Sequence, residues 1–239
     1  MTPPWDQLYH AFGPATDLPE LLDALSPDPS DPLWGELWGR VCHQGSIYPA
    51  SRYVLPFLLN LAAGWSEPGR IMPLVLASAI AASPEFDARG FEDSIEHLRI
   101  LAGQSLRAKD INRADRVYLM SAALTLDGDR VWGPALEGFN SEEFPGTCPA
   151  CGGQLYFTIG DLGFRTTTRP DDHLRQEKIT PCFAEDLHGV GAWLLGIALD
   201  VGDAGLGERI THLFGETVCT NCDRRISVHE AVARFAGGA

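Results

Sequence analysis

The sequence predicts a mostly helical chain, built as a stack of short helical hairpins and followed by a small α+β domain. Three observations predict it. Through the first half, apolar residues recur at helical spacing between turns marked by Pro and Gly. Strand-like alternation begins only at Gln154. Two Cys-x-x-Cys pairs, Cys148/Cys151 and Cys219/Cys222, bracket most of the last third. The expected organisation is a helical domain over 1–126, a linker or long surface loop over 127–147, and an α+β domain over 148–239.

The helical elements follow in order. Asp17-Leu18-Pro19-Glu20 has the form of a capping box, with Leu21, Leu22 and Leu25 as the apolar face behind it. Asp31-Pro32 opens a second helix, since proline's missing N–H costs nothing at the first position. Leu33, Trp34, Leu37, Trp38, Val41 and Cys42 recur inward along it, and Gly45 is expected to close it. A third helix spans about Ala50 to Ala63, with Val54, Phe57, Leu58 and Leu61 inward and Pro56 expected to kink or divide it. Further helices fit Ile71–Ala82, Phe91–Ala108 and Arg113–Leu126. Short helices that cannot bury an apolar face alone suggest stacked hairpins, with a compact bundle as the competing architecture.

Trp5-Asp6-Gln7-Leu8, the run from His10 to Pro19, His43-Gln44-Gly45-Ser46-Ile47-Tyr48-Pro49-Ala50-Ser51 and Leu55-Pro56-Phe57-Leu58 carry a resemblance. Trp5 to Ala63 resembles the N-terminal segment of bacterial HEAT-like repeat proteins. The resemblance covers about a quarter of the chain and does not reach the cysteine pairs. It implies an α-solenoid that binds protein, as immunity or regulatory partners do.

Beyond the helices, Gly, Pro, Asp and Glu crowd Asp127 to Thr147, which therefore reads as loop. Gln154 to Ile159 alternates like a strand, and Phe164 to Thr168 is its expected antiparallel partner. Helices are expected over Asp186–Leu199 and Gly207–Phe214, and Ser227-Val228-His229-Glu230 caps a last one ending near Phe235.

The cysteine pairs carry the clearest chemistry. Thiolates three positions apart can face one tetrahedral ion, and Gly152-Gly153 let the backbone turn under the sulfurs. Two such pairs make a Cys₄ site, so Cys148, Cys151, Cys219 and Cys222 are expected to hold one structural Zn²⁺. Simple ribbons separate their pairs by roughly 15–20 residues. Here residues 152–218 intervene, so a zinc-ribbon-like domain with a helical insertion is expected. No thioredoxin-like frame follows either pair, which argues against a redox role.

Cys42 is expected as an inert buried thiol. Cys182, near Asp171, Asp172, His173 and His188, is the one imaginable nucleophile. His43 falls in the family-like stretch, while His212 and His229 lie close enough in sequence to the second pair to replace a thiolate. Acid pairs such as Asp171-Asp172 and Glu142-Glu143 read as solvated loop charges. The glycine loops at 160–163 and 202–207 lack the rest of a phosphate-binding pattern, and no other catalytic motif occurs.

Charge narrows the partners. The formal net charge is −14 and the pI about 4.8, which argues against gripping a nucleic-acid backbone or anionic lipid. Such acidity suits solubility or a basic protein partner. Residues 1–147 hold 10 Lys and Arg against 20 Asp and Glu, so the helical part carries most of it. Six cysteines with no signal peptide and no membrane-length apolar run point to a cytoplasmic location. The expected function is a non-enzymatic protein-binding module. A nucleic-acid-associated zinc-ribbon factor using Arg224 and Arg225 is one alternative; an enzyme with a pocket around Cys182 and His188, between the two halves, is the other.

Overall fold

The structure is a computed structural model that describes residues 3–168 and 175–238. The chain divides into two compact units, residues 1–129 and 130–239. The first is mostly helical. The second combines helices with a four-stranded antiparallel sheet.

The first unit opens with a small hairpin, β1 (Tyr9–His10) and β2 (Gly13–Pro14). Helix α1 (Leu18–Ala24) follows, and Asp17 stands at its N-cap without making the cap bond. Its carboxylate is taken instead by His10 Nε2 at 2.9 Å and Arg40 Nε at 3.0 Å, so the expected capping box is absent. Helix α2 (Pro32–Val41) starts as the sequence indicates, with Asp31 accepting from the Leu33 N–H. It stops at Val41, four residues before Gly45. Cys42 therefore leaves the helix and enters β3 (Cys42–His43), paired with β4 (Ser46–Ile47).

The turn between β3 and β4 lies in the stretch from His43 to Ser51. Gln44 and Gly45 both take positive φ, at 51° and 79°, as a tight hairpin requires. The Ser51 hydroxyl then donates to the Val41 carbonyl at 2.6 Å and accepts from the Tyr48 N–H at 2.8 Å. One side chain thus ties the end of α2 to the start of α3 (Ser51–Gly64).

Helix α3 runs unbroken through Pro56. Helices α4 (Ile71–Ala82), α5 (Glu92–Ser105) and α6 (Arg113–Leu126) complete the unit. Helix α3 packs on α4 and α5 on α6; across these pairs, α3 meets α5 and α4 meets α6. Helix α4 is apolar along nearly its whole length, as a helix surrounded by neighbours must be. Asn112 caps α6, and the buried Arg116 donates to the carbonyls of Leu106, Ala108 and Ile111, fastening the α5–α6 connection. The inward faces differ in part from expectation. Trp34, Leu37, Val41 and Leu58 are buried with Leu55 and Ala62, while Trp38, Phe57 and Leu61 are only half-buried.

In the second unit the expected linker is structured. Short helices α7 (Trp132–Ala135) and α8 (Gly138–Ser141) lead into β5 (Glu143–Thr147), an edge strand of the sheet. Pro145 is tolerated there because an edge strand leaves one side unpaired. Strand β6 (Gln154–Gly160) pairs with β5 and with β7 (Gly163–Thr167), and β8 (Glu177–Lys178) follows β7. Leu155, Phe157 and Ile159 point inward along β6, as the alternation indicates.

Helices α9 (Gly189–Asp200) and α10 (Ala204–Leu213) pack on each other. A second hairpin, β9 (Glu216–Val218) and β10 (Arg225–Ser227), leads into α11 (Val228–Ala236). Ser227 accepts from the Glu230 N–H at its start, as expected. Residues between the cysteine pairs thus hold strands as well as helices. Helix α11 lies on β5 at Gly146, where an added Cβ would sit 2.4 Å from Phe157 and 3.3 Å from the Ala231 backbone. Arg209, buried, reaches Glu142 at 2.8 Å and Asp161 at 2.7 Å and closes the β6–β7 end of the sheet.

Candidate metal centre

Each cysteine pair occupies the turn of a β-hairpin. Cys148 to Gly153 connects β5 to β6, and Cys219 to Arg224 connects β9 to β10. The two turns have the same backbone. In the first, Cys148 N–H bonds Gly153 O at 2.9 Å and Gly152 N–H bonds Cys148 O at 2.9 Å. In the second, Cys219 N–H bonds Arg224 O at 2.8 Å and Asp223 N–H bonds Cys219 O at 3.0 Å. The residue after the second cysteine takes positive φ in both, 73° at Gly152 and 60° at Asp223. Glycine is suited to that conformation; aspartate is among the few other residues that tolerate it.

These turns converge. All four Sγ atoms lie within 4.8 Å of one another. Cys148 and Cys222 Sγ are 4.0 Å apart, and Cys151 and Cys219 Sγ are 3.9 Å apart. A disulfide needs about 2.05 Å. Sulfurs arranged tetrahedrally about 2.3 Å from one ion stand about 3.8 Å apart. The cluster therefore has the spacing of ligands around a metal, and four thiolates are a donor set suited to an ion such as Zn²⁺.

Backbone donors and electrostatics fit the same role. Asn221 N–H points at Cys219 Sγ at 3.4 Å. Burial opposes ionisation of Cys148, but the N–H groups of Cys151 and Ala150 and the neighbouring thiols bring it down to about 7. Burial and the sulfurs of Cys148 and Cys222 push Cys219 up to about 12 against the N–H groups of Asn221 and Cys222. Four clustered thiolates repel one another, and only a cation between them lets all four ionise together.

The turns also touch. An added Cβ at Gly153 would lie 2.6 Å from Asn221 Nδ2 and 3.3 Å from Cys151 Sγ. Asn221 in turn donates to the Gln154 carbonyl at 3.3 Å. Gly153 thus lets one knuckle seat against the other, a role its place in the CxxCGG stretch only hinted at.

The other sequence candidates have local partners. His212 Nδ1 bonds the Glu208 carbonyl at 2.8 Å and its ring stacks on Phe164 at 3.6 Å. His229 Nδ1 bonds Ser227 Oγ at 2.7 Å, and burial lowers its basicity. Neither joins the sulfur cluster. Burial raises the thiol of Cys42. Burial, and then the Asp186 carboxylate, raise that of Cys182 against its own backbone N–H, the opposite of what activates a nucleophile. His188 stands exposed at the N-cap of α9 with no hydrogen bond to Cys182. Asp171, Asp172 and His173 lie outside the described residues. Glu142 is half-buried and paired with the buried Arg209 rather than a solvated loop charge, while Glu143 is exposed as expected. Arg225 of the basic pair is engaged by Glu216 at 3.1 Å. His43 meets Phe12 edge to face at 5.7 Å.

The first unit also holds a cleft that no chemical motif announces. The cleft, of about 370 Å³, is lined by Leu8, Ile47-Tyr48-Pro49, Arg52 and Glu85-Phe86-Asp87. The Arg52 guanidinium sits over the Tyr53 and Phe91 rings, 5.2 and 5.9 Å from their centroids. Among the described residues, no helix is long and apolar enough to cross a membrane. No family model matches the chain, and no curated protein or solved structure matches it significantly.

Proposed function

We propose that this chain is a non-enzymatic protein-binding module whose second unit is held together by one structural zinc ion on Cys148, Cys151, Cys219 and Cys222. The observation that carries the zinc reading is the meeting of two matched Cys-x-x-Cys turns at metal-ligand spacing. All four positions are filled by protein sulfur, so the ion would have no open site for water or substrate; its contribution is folding energy. Metal analysis of protein purified without added zinc tests it: about one zinc per chain is expected, and metal-free protein with free thiols overturns it.

The binding role rests on charge and on the helical unit. A net charge of −14 favours a basic partner, such as a toxin the chain neutralises or a regulator it sequesters. A HEAT-like stack is supported by the meeting of equivalent helices, α3 with α5 and α4 with α6, because repeat hairpins stack like on like. Within the helical unit Glu96 is already bound by Arg99 at 2.7 Å, so Glu92 and Asp93 are the acids of α5 with charge to offer a partner. Affinity purification followed by on-rate measurement at several salt concentrations tests the role. A cationic partner whose association slows with salt is expected; association indifferent to salt overturns the basic-partner reading, and recovery of no protein partner overturns the binding role.

A further inference from the structure

Helix α9 breaks the usual rule for a surface helix. Its inward side is ordinary: Leu194, Ile197 and Ala198 are buried, and Leu195 reaches Gly207 of α10. Its outward side should carry polar residues, since an amphipathic surface helix turns its charged face to water. Yet no residue from Gly189 to Leu199 is polar. Ala192 is exposed and Trp193 half-exposed. A Cβ built at Gly196 meets nothing within 4 Å, so the middle of this face is open and shallow. Leu199 at its end is 69% exposed, and Phe183, ahead of the turn that leads into it, is 73% exposed.

The segment that carries this face is acidic. From Ile179 to Glu208 the chain holds five acids and neither Lys nor Arg. Glu185 and Asp186 stand exposed just before α9, Asp200 ends it, and Glu208 is exposed on α10, the helix it packs against. An occupant must therefore be apolar in the middle and cationic at its margins. A second copy fits poorly. Pairing of two α9 faces would bring together the exposed Glu185, Asp186 and Glu208 of each copy, and the segment from Ile179 to Glu208 supplies no Lys or Arg to set between them. An anionic lipid surface meets the same objection.

We propose that the outward face of α9 is the docking surface for a basic amphipathic helix of a partner protein. It rests on the protein-binding reading above and adds to the acids of the helical unit a contact surface on the second unit, with its own chemistry. Small residues at Ala192 and Gly196 let a helix approach closely, Trp193 and Leu199 supply apolar contact, and the acids select for lysine or arginine at the partner's flanks.

The test uses the full chain and a fluorescent amphipathic peptide of about 18 residues, built from Leu and Lys with one apolar face. Two controls accompany it: the same peptide with Glu replacing Lys, and a scrambled peptide of identical composition. The variants are Leu199→Ser with Phe183→Ser for the face, and Glu185→Lys with Asp186→Lys for the charge. All four side chains are solvent-exposed, and circular dichroism and metal content check that the fold survives. Expected is binding of the Leu/Lys peptide alone, weakened at least about tenfold by either double variant. Raising salt from about 50 to about 300 mM should weaken binding to the native chain, and less so to the charge variant. Failure of the Leu/Lys peptide to bind, equal binding of the scrambled or Glu peptide, or indifference to the variants overturns the proposal. So does a dimer of the chain that Leu199→Ser dissolves, or docking on anionic vesicles in place of peptide. A cationic protein partner that binds both variants normally overturns this surface and leaves the protein-binding role standing. Variant-sensitive peptide binding, with a natural partner whose association ignores salt, leaves this surface standing and overturns the basic-partner reading.

Discussion

If the sulfur cluster holds a structural ion as proposed, chelating that ion measures how much of the second unit the cluster holds. In an unfolded chain either Cys-x-x-Cys pair can grip an ion with two sulfurs, but four sulfurs require a long loop to close. Cys151 and Cys219 are 68 residues apart, and Cys148 and Cys222 are 74 apart. Closing a loop of that length costs an unfolded chain about 4.4 kcal/mol of entropy. The folded unit has already closed it. It therefore binds a four-coordinate ion more tightly than the unfolded chain by at least that amount, and the ion stabilises the fold by the difference. For a domain of roughly 100 residues, 1 kcal/mol is worth about 4 °C or more in unfolding temperature. Chelation should then lower the melting of the second unit by about 15 °C or more. Thermal unfolding with and without EDTA reads the shift, and amide hydrogen exchange assigns it. Protection of β5, β9 and α11 should fall together, while α4 and α6 keep theirs. A shift under about 3 °C, or lost protection confined to one cysteine hairpin, refutes the idea that the cluster pins the two hairpins to each other.

Other expectations follow from single contacts. Trp34 is 1% exposed and its Nε1–H donates to the Ser26 carbonyl at 3.1 Å. Trp34→Ala should therefore cost about 3–5 kcal/mol in urea denaturation, and Trp38→Ala, on the half-exposed side, clearly less. Gly146→Val places side-chain atoms into Phe157 and the α11 backbone; it should cost about 1–3 kcal/mol or more and raise hydrogen exchange in α11. The Glu142 carboxyl is held below its ordinary value: burial opposes this, but the N–H groups of Asp161 and Leu162 and the Arg209 guanidinium prevail. Such a group contributes stability above its unfolded pKa, and the contribution is lost as pH falls through the lower folded one. A pH series on Glu142→Gln should accordingly match the native chain only in acid, below the ordinary carboxylate range, and fall behind it at neutral pH.

Sequence patterns reported the helices well because the relevant signals are local. Arg113–Leu126 is bounded by its Asn112 cap, and Asp31-Pro32 starts α2 through bonds made within three residues. Where a distant group competes, the local signal misleads. Asp17 looks like a cap, but His10 and Arg40 claim both carboxylate oxygens. The strand β5 was illegible for a related reason. Pro145 and Gly146 are poor strand residues by themselves, and they become strand because β6 pairs with them and α11 needs Gly146 bare.

The cysteine cluster shows the same division between local and long-range information. Each knuckle is encoded by a few residues, Cys148 to Gly153 or Cys219 to Arg224, whose turn bonds close within themselves. That is why the two cysteine turns were readable from spacing alone, and the structure brings their four sulfurs together. What spacing does not encode is how turns so far apart in the chain come to face each other. Several contacts do this, none visible as a motif. Gly215 has no Cβ to strike the Thr180 carbonyl, which an added one would meet at 2.1 Å, so the chain entering β9 runs close to the end of β8. Thr180 and Glu216 then exchange backbone hydrogen bonds of 2.8 and 2.9 Å. The Thr166 hydroxyl bonds Thr217 at 2.9 Å inside the unit, and Asn221 settles on Gly153. These bonds fix the second hairpin on the sheet that carries the first, and the sulfurs meet because the hairpins do. Zinc on such a site would lock a juxtaposition that packing has already prepared. Gly153→Val, which disturbs the seating and spares every sulfur, should weaken zinc retention against a chelator while the first unit unfolds as before; unchanged retention would mean the sulfurs alone bring the hairpins together.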